Sequence, residues 1–253
     1  HTRSFHVTGV QTCALPIFKA RGYLPEALTN YLALLGWSPG DGEEILPLAE
    51  LASRFRLEDV GHSASVFDIE KLAWVNRHYL KAADPLRLVE HTVPYLQQAG
   101  LLQVATPSDR AFLMAIVPAA AASVDRLEQI PTRLSFLFDY DAARTLAAAD
   151  VRAEAAGARD VLVALADELT RSAPLFTKEA FRDLATKVRA RSGQKGKALF
   201  HPIRLALTGE PEGMELDLAV PAIESGSRLE ASGLRPIMSA AARAEAFLRA
   251  LDQ

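Results

Sequence analysis

The sequence predicts an all-α protein. Three observations carry that expectation. Apolar residues recur at three- and four-residue spacings along most of the chain; capping and stopping residues punctuate those runs; and no alternating apolar run bounded by Asn-Gly or Asp-Gly turns is present.

Taken in order, "GYLPEALTNYLALLGWSPGDG" (Gly22 to Gly42) predicts a helix running into a turn. Pro25 sits where a first-turn proline loses no hydrogen bond, Glu26 complements the positive end of the dipole, and Gly36 is expected to close the helix in the left-handed conformation. Leu24, Ala27, Leu28, Tyr31, Leu32 and Leu35 form the stripe expected to face a core. Asp68 caps "IEKLAWVNRHYL", with Leu72, Val75 and Tyr79 on one face and Trp74 beside it; Asp84 and Pro85 open a helix that ends at Gly100. Ser108 is the expected cap of the next helix and Pro118 is expected to kink or divide it. Pro131 starts another, Ala142 to Thr170 is an Ala- and Leu-rich helical region with a break at Gly157, and Thr177 caps "KEAFRDLATKVRARSG". Trp37 and Trp74 are both assigned to core packing. The least ordinary stretch is "SGQKGKALFHPIRLALTGEPEG", which reads as a flexible basic loop that holds Lys197, a short helix after "FHP" that carries Arg204, and a second Gly-bearing turn.

With 253 residues, 49% hydrophobic and 23% charged, the chain can bury one large core or two smaller ones. No run of eighteen apolar residues occurs, so no membrane partner is expected. The net charge of −3 does not mark a nucleic-acid binder as a whole, but Lys178 to Arg204 holds eight basic residues against two acidic ones. Cys13 is the single cysteine, which excludes a disulfide within the chain and any Cys-rich zinc site, and fits a cytoplasmic protein. His6, His62, His78, His91 and His201 show no carboxylate partner at metal-ligand spacing, so neither a metal site nor a catalytic residue is assigned. No G-x-x-x-x-G-K-[ST] or G-x-G-x-x-G motif occurs.

The opening "HTRSFHVTGVQTCALPI" lacks an initiator Met and any helical or strand period, and its apolar run is too short for a signal-peptide core. Residues 1–17 are therefore read as an adapter-like or disordered tail, outside the native structure.

From Phe18 to about Met214, "FKARGYLPEALTNYLALLGWSPGDGEE", "LASRFRLEDVGHSASVFDIEKLAWVNRHYLK" and "KGKALFHPIRLALTGEPEG" resemble, in that order, the carboxy-terminal half of bacterial glutamyl-tRNA synthetases. The resemblance implies a stem-contact region with the start of the helical domain over 18–100, and an anticodon-binding helical domain in two parts, 101–175 and a basic 176–253. It also implies that the catalytic domain precedes Phe18 and is missing. On that reading the chain binds no cofactor and catalyses nothing alone, while ATP, Mg and glutamate belong to the intact ligase. The partner implied is tRNA(Glu), bound by a monomer. The alternative of another class is a helical protein-interaction scaffold whose basic loop meets an acidic surface.

By the same resemblance, Lys195, Lys197, Arg204, Thr208, Gly209, Met214 and Leu216 are expected to bind tRNA around the anticodon, and His62 and Ser63 near the stem. His62 stands where family members commonly carry Lys or Arg, which weakens that phosphate contact at neutral pH. Splayed single-stranded bases are read by edge hydrogen bonds and apolar packing while lysines hold phosphates, which suits this residue set.

Overall fold

The computed structural model describes residues 15–40, 42–61 and 66–253. Among them the fold is all-helical with no sheet, and the β-type pairing is a single isolated bridge between Leu102 and Leu234. The chain forms two compact units, one containing the described residues up to Tyr95 with Val117–Ile130, the other Leu96–Ile116 with Pro131–Gln253.

In the first unit, residues 15–20 are helical, and the first three of them belong to the stretch read as a tail. Phe18 packs against Tyr23 with ring centroids 5.6 Å apart, and the Tyr95 hydroxyl donates to the Lys19 carbonyl over 2.6 Å. Helix α1 (Pro25–Leu34) follows, then α2 (Leu48–Arg54), α3 (Ile69–Ala82) and α4 (Pro85–Gln98). Leu24, Ala27, Leu28 and Tyr31 are buried as the stripe demands, and they pack with Leu72, Ala73 and Val75 of α3 in the core of this unit. Leu32, placed on the same stripe, is 48% exposed. Asp68 caps α3 through the amides of Glu70 and Lys71, and Asp84 caps α4 through Arg87 N.

Two buried asparagines that no apolar period reveals hold this unit together. Asn30 accepts from Leu46 N and donates to the Glu44 carbonyl, which pins the 42–47 loop over α1. Asn76 accepts from Leu24 N and donates to the Asp125 and Gly22 carbonyls, so one amide satisfies backbone groups from separate segments.

Several local expectations are corrected. Gly36 is not left-handed; a Cβ there would lie 3.1 Å from Val60, and its carbonyl accepts from Gly61 N, so close packing is what the small residue permits. Trp37 is core, with Leu46 and Leu51, but Trp74 is 37% exposed and lies against His78 with centroids 4.4 Å apart. Helix α5 (Pro107–Ala121) runs through Pro118 without dividing, because a single lost hydrogen bond is outweighed by burial of Leu113, Val117 and Ala120 around it. Its cap is not Ser108: Thr106 Oγ1 accepts from Asp109 N while Asp109 accepts from Thr106 N.

In the second unit, short helices α6 (Ile130–Arg133), α7 (Ser135–Phe138) and α8 (Ala142–Thr145) precede α9 (Ala149–Gly157) and α10 (Arg159–Arg171), which part at Ala158, beside the predicted break at Gly157. Helices α11 (Lys178–Ser192), α12 (Lys197–Thr208), α13 (Leu216–Gly226) and α14 (Ala240–Leu251) complete the unit. The centre is α10, whose Val161, Leu162, Leu165 and Leu169 are buried against α11, α12 and α14.

Arg243 of α14 is fully buried and has no carboxylate partner among the described residues. It donates instead to the carbonyls of Phe136, Leu137, Leu207 and Met238 and lies 4.8 Å from the Tyr140 ring centroid. These carbonyls include the ends of α7 and α12, where acceptors lack intrahelical donors and the dipole favours a cation. Burial lowers the guanidinium pKa to about 10, so it stays charged at neutral pH.

Candidate nucleic-acid interface

The candidate interface lies on α11, α12 and α13, within the second unit. Thr177 caps α11 through Ala180 N, and Gly193 ends it with φ of +69°, a conformation β-carbon sterics disfavour elsewhere. Four residues later α12 has begun, because Gly196 at φ +58° and ψ −135° reverses the chain where other residues would be strained. The basic loop is therefore short, and Lys197 is the opening residue of α12 instead of a loop residue. The helix itself is longer than predicted and runs through Phe200, His201 and Pro202.

Lys197, Phe200, His201 and Arg204 fall at positions zero, three, four and seven of α12, so they share one face. That face borders a cleft of about 430 Å³ whose walls include Phe181, Arg182, Leu216 and Asp217. A second cleft, about 230 Å³, is lined by Arg182, Arg189, Lys195, Gly196 and Phe200. Phe200 and Arg182 border both.

Of the eight basic residues in this region, Arg182 pairs with Asp217, Arg191 with Asp167 and Glu168, and Arg204 donates Nη1 to the Met214 carbonyl over 2.9 Å. Lys187, Arg189, Lys195 and Lys197 make no ion pair with the described residues. Burial lowers the pKa of Arg204, opposed by the nearby carboxylates Glu210 and Glu215, and burial raises that of Glu210 against the pull of Arg133 and Arg204.

The site residues named from the sequence separate into groups. Lys197, Arg204 and Leu216 border the larger cleft, and Lys195 borders the smaller. Met214 supplies the carbonyl that holds Arg204. Thr208 is buried; its hydroxyl donates to the Arg204 carbonyl over 2.8 Å and accepts from Glu210 N. Gly209, at φ +74°, caps α12 by donating to the Leu205 carbonyl, and it lines a separate small cavity with Thr208, Tyr140 and Thr145. His62 and Ser63 lie outside the described residues. Phe181, Arg182, Arg189 and Phe200 were not named, although the helical spacing of Lys197, Phe200 and Arg204 was available to find the last. His201 has a carboxylate partner after all: its Nδ1 lies 2.6 Å from Glu154 Oε1, a pair between helices that sequence spacing does not show.

A family profile described as "Anticodon binding domain" matches residues 87–228. The chain belongs to the anticodon binding domain family. A second profile, "tRNA synthetases class I (E and Q), catalytic domain", matches residues 10–74. The chain is 37% identical over 215 residues to a glutamate–tRNA ligase of Desulforamulus reducens, covering 83% of this chain and 44% of that protein. It is 33% identical over 233 residues to that of Desulfitobacterium hafniense, covering 91% and 46%. The chain thus spans less than half the length of the curated relatives it matches. Solved structures of glutamate–tRNA ligases from Elizabethkingia meningosepticum and Elizabethkingia anophelis align over 93% of this chain and 42% of theirs, with TM-scores of 0.65 and 0.67 at 19% and 21% identity, a likeness of fold.

The match over residues 10–74 overturns the expectation that only the carboxy-terminal part is present and the catalytic domain missing. It also overturns the assignment of ATP, Mg and glutamate to a domain outside this chain. That expectation went with the absence of phosphate-binding motifs, whereas the catalytic-domain profile matches residues that include α1 and α2 and contain no such motif. No helix among the described residues is long and apolar enough to cross a membrane, and no group of His, Cys, Asp or Glu among them is arranged to hold a metal.

Proposed function

We propose that this chain acts within a glutamate–tRNA ligase, its α11–α13 face holding the anticodon loop of tRNA(Glu) while ATP activates glutamate for transfer to the terminal ribose. The observation that carries this reading is the pair of adjoining clefts bordered by Lys195, Lys197, Arg189 and Arg204 in a chain of net charge −3. Unpaired lysines at a concave surface suit phosphate oxygens, and Arg204, held through one nitrogen, keeps donors for a base edge. Thr208, Gly209 and Met214 shape the turn that presents Arg204, and Leu216 offers apolar contact. Residues 18–100 are assigned to the acceptor-stem side, with His62 and Ser63 as its contacts, and 101–175 and 176–253 to the two parts of the anticodon-binding domain. A cytoplasmic location follows from the role in protein synthesis.

A salt titration tests this. With the full chain and tRNA(Glu), log affinity should fall linearly with log salt, and Lys197→Ala should weaken all tRNAs about equally while lowering the slope by about one. Affinity independent of salt, or equal binding of an acidic protein, would overturn it in favour of an interaction scaffold.

A further inference from the structure

We propose that Phe200 is a stacking post for one unpaired nucleobase, which enters the larger cleft while the adjoining backbone phosphates lie in the smaller one. The proposal rests on the RNA-binding reading above and adds to it a residue and a polarity. Phe200 is 42% exposed, whereas the other large apolar residues of α12, Leu199, Ile203, Leu205 and Leu207, are at most 1% exposed. Packing therefore does not account for an aromatic ring on this face, and leaving such a ring in water forgoes the stabilisation its burial would give.

The two clefts differ in charge, and the difference orients the ligand. The smaller one presents Arg189 and Lys195, which make no ion pair with the described residues, beside Arg182, and has no carboxylate among its lining residues, which suits phosphate. The larger one sets the carboxylates of Glu215 and Asp217 among Lys197 and Arg204, so it attracts phosphate less than the smaller one, and the backbone meets it only at Lys197. Asp217 is already engaged by Arg182, and Glu215 stands as an acceptor, with its charge offset by Arg204. Apolar Phe181 and Leu216, a carboxylate acceptor and a guanidinium donor are what a base needs on its faces and edges, and Phe200 borders both spaces where base meets backbone. Every base has a π-face, so the post contributes affinity irrespective of sequence.

The test uses the full chain and an RNA hairpin of anticodon-arm type with 2-aminopurine in its loop, alongside the same loop closed by a complementary strand. Wild type should bind the open loop more tightly and quench its fluorescence. Phe200→Leu should weaken open-loop binding by about tenfold to a hundredfold and abolish quenching, while Phe200→Trp keeps both and circular dichroism shows the helices intact. Arg189→Ala should weaken binding without changing quenching at saturation. If Phe200→Leu keeps both affinity and quenching while Arg189→Ala weakens binding, the stacking post is refuted and the RNA-binding reading stands. Failure of wild type to bind the open loop would overturn both.

Discussion

Arg204→Ala separates the structural duty of one side chain from the base-reading duty proposed for it. Its Nη1 donates to the Met214 carbonyl over 2.9 Å, and no other hydrogen bond links its guanidinium to the described residues. Losing one charge-assisted bond to a partly exposed carbonyl should cost about 1–2 kcal/mol of stability, because water can replace the donor only in part. The remaining nitrogens border the larger cleft, where a contact to a base edge is worth about 1–3 kcal/mol of discrimination. Urea unfolding measures the former, and filter binding at fixed ionic strength of tRNA(Glu) and an anticodon-swapped transcript measures the latter. Arg204→Ala should narrow the affinity gap between the two tRNAs. Arg204→Lys should narrow it too while preserving part of the general attraction, since an ammonium keeps the charge and loses the planar fork. Equal weakening of both tRNAs, with normal helicity, would refute base reading; unchanged stability would show that the Met214 bond does not hold the turn.

Arg243→Met should destabilise the chain by about 3–5 kcal/mol, because it strips the donor from the carbonyls of Phe136, Leu137, Leu207 and Met238 at once; a urea-unfolding loss below about 1 kcal/mol would contradict the clamp. Asp109 is buried, which pushes its carboxyl up, yet hydrogen bonds from Ser232, Thr106 and Gly233 outweigh this and leave its pKa lowered. Its stabilisation is therefore present above the unfolded carboxylate pKa and lost as pH falls through the folded one, so Asp109→Asn should be less stable than wild type by about 1–2 kcal/mol near neutral pH, with the gap closing in acid. A gap that stays constant on acidification would show that charge is not what Asp109 contributes.

Helix identity and most caps were legible because each is a local rule. Asp68, Asp84 and Thr177 cap as their positions predict, each having a free amide two or three residues ahead. Local rules failed where a distant partner decides. Trp74 shares its helix with buried Leu72 and Val75, but nothing in the period says that its sector stays uncovered. Pro118 breaks helices by propensity, and only tertiary burial of its neighbours carries the helix through. Asn30, Asn76 and Arg243 read as ordinary polar residues in sequence, although each satisfies backbone groups from separated segments, since hydrogen-bond demand in a core has no periodicity.

The interface shows how far charge counting reaches. It pointed to the segment that borders both clefts, yet the excess over Lys178 to Arg204 overstated the free charge, because Arg182 and Arg191 are bound by acids outside that segment. What the count left out was the helical phase. Placing Lys197 in a loop hid that it shares a face with Phe200 and Arg204, and so hid the aromatic between the cations. The same blindness explains the misplaced catalytic boundary: nucleotide motifs are local strings, whereas the catalytic-domain profile over residues 10–74 follows a helical stretch whose identity lies in its whole pattern. Cations alone would bind any polyanion with little geometry, but an exposed ring fixed on a helix between two clefts of different charge gives a chain a direction to lie in. If the proposed stacking holds, binding should be selective for an open RNA loop over a duplex, because only an unpaired base can leave its stack to meet the ring; equal affinity for the two would refute it.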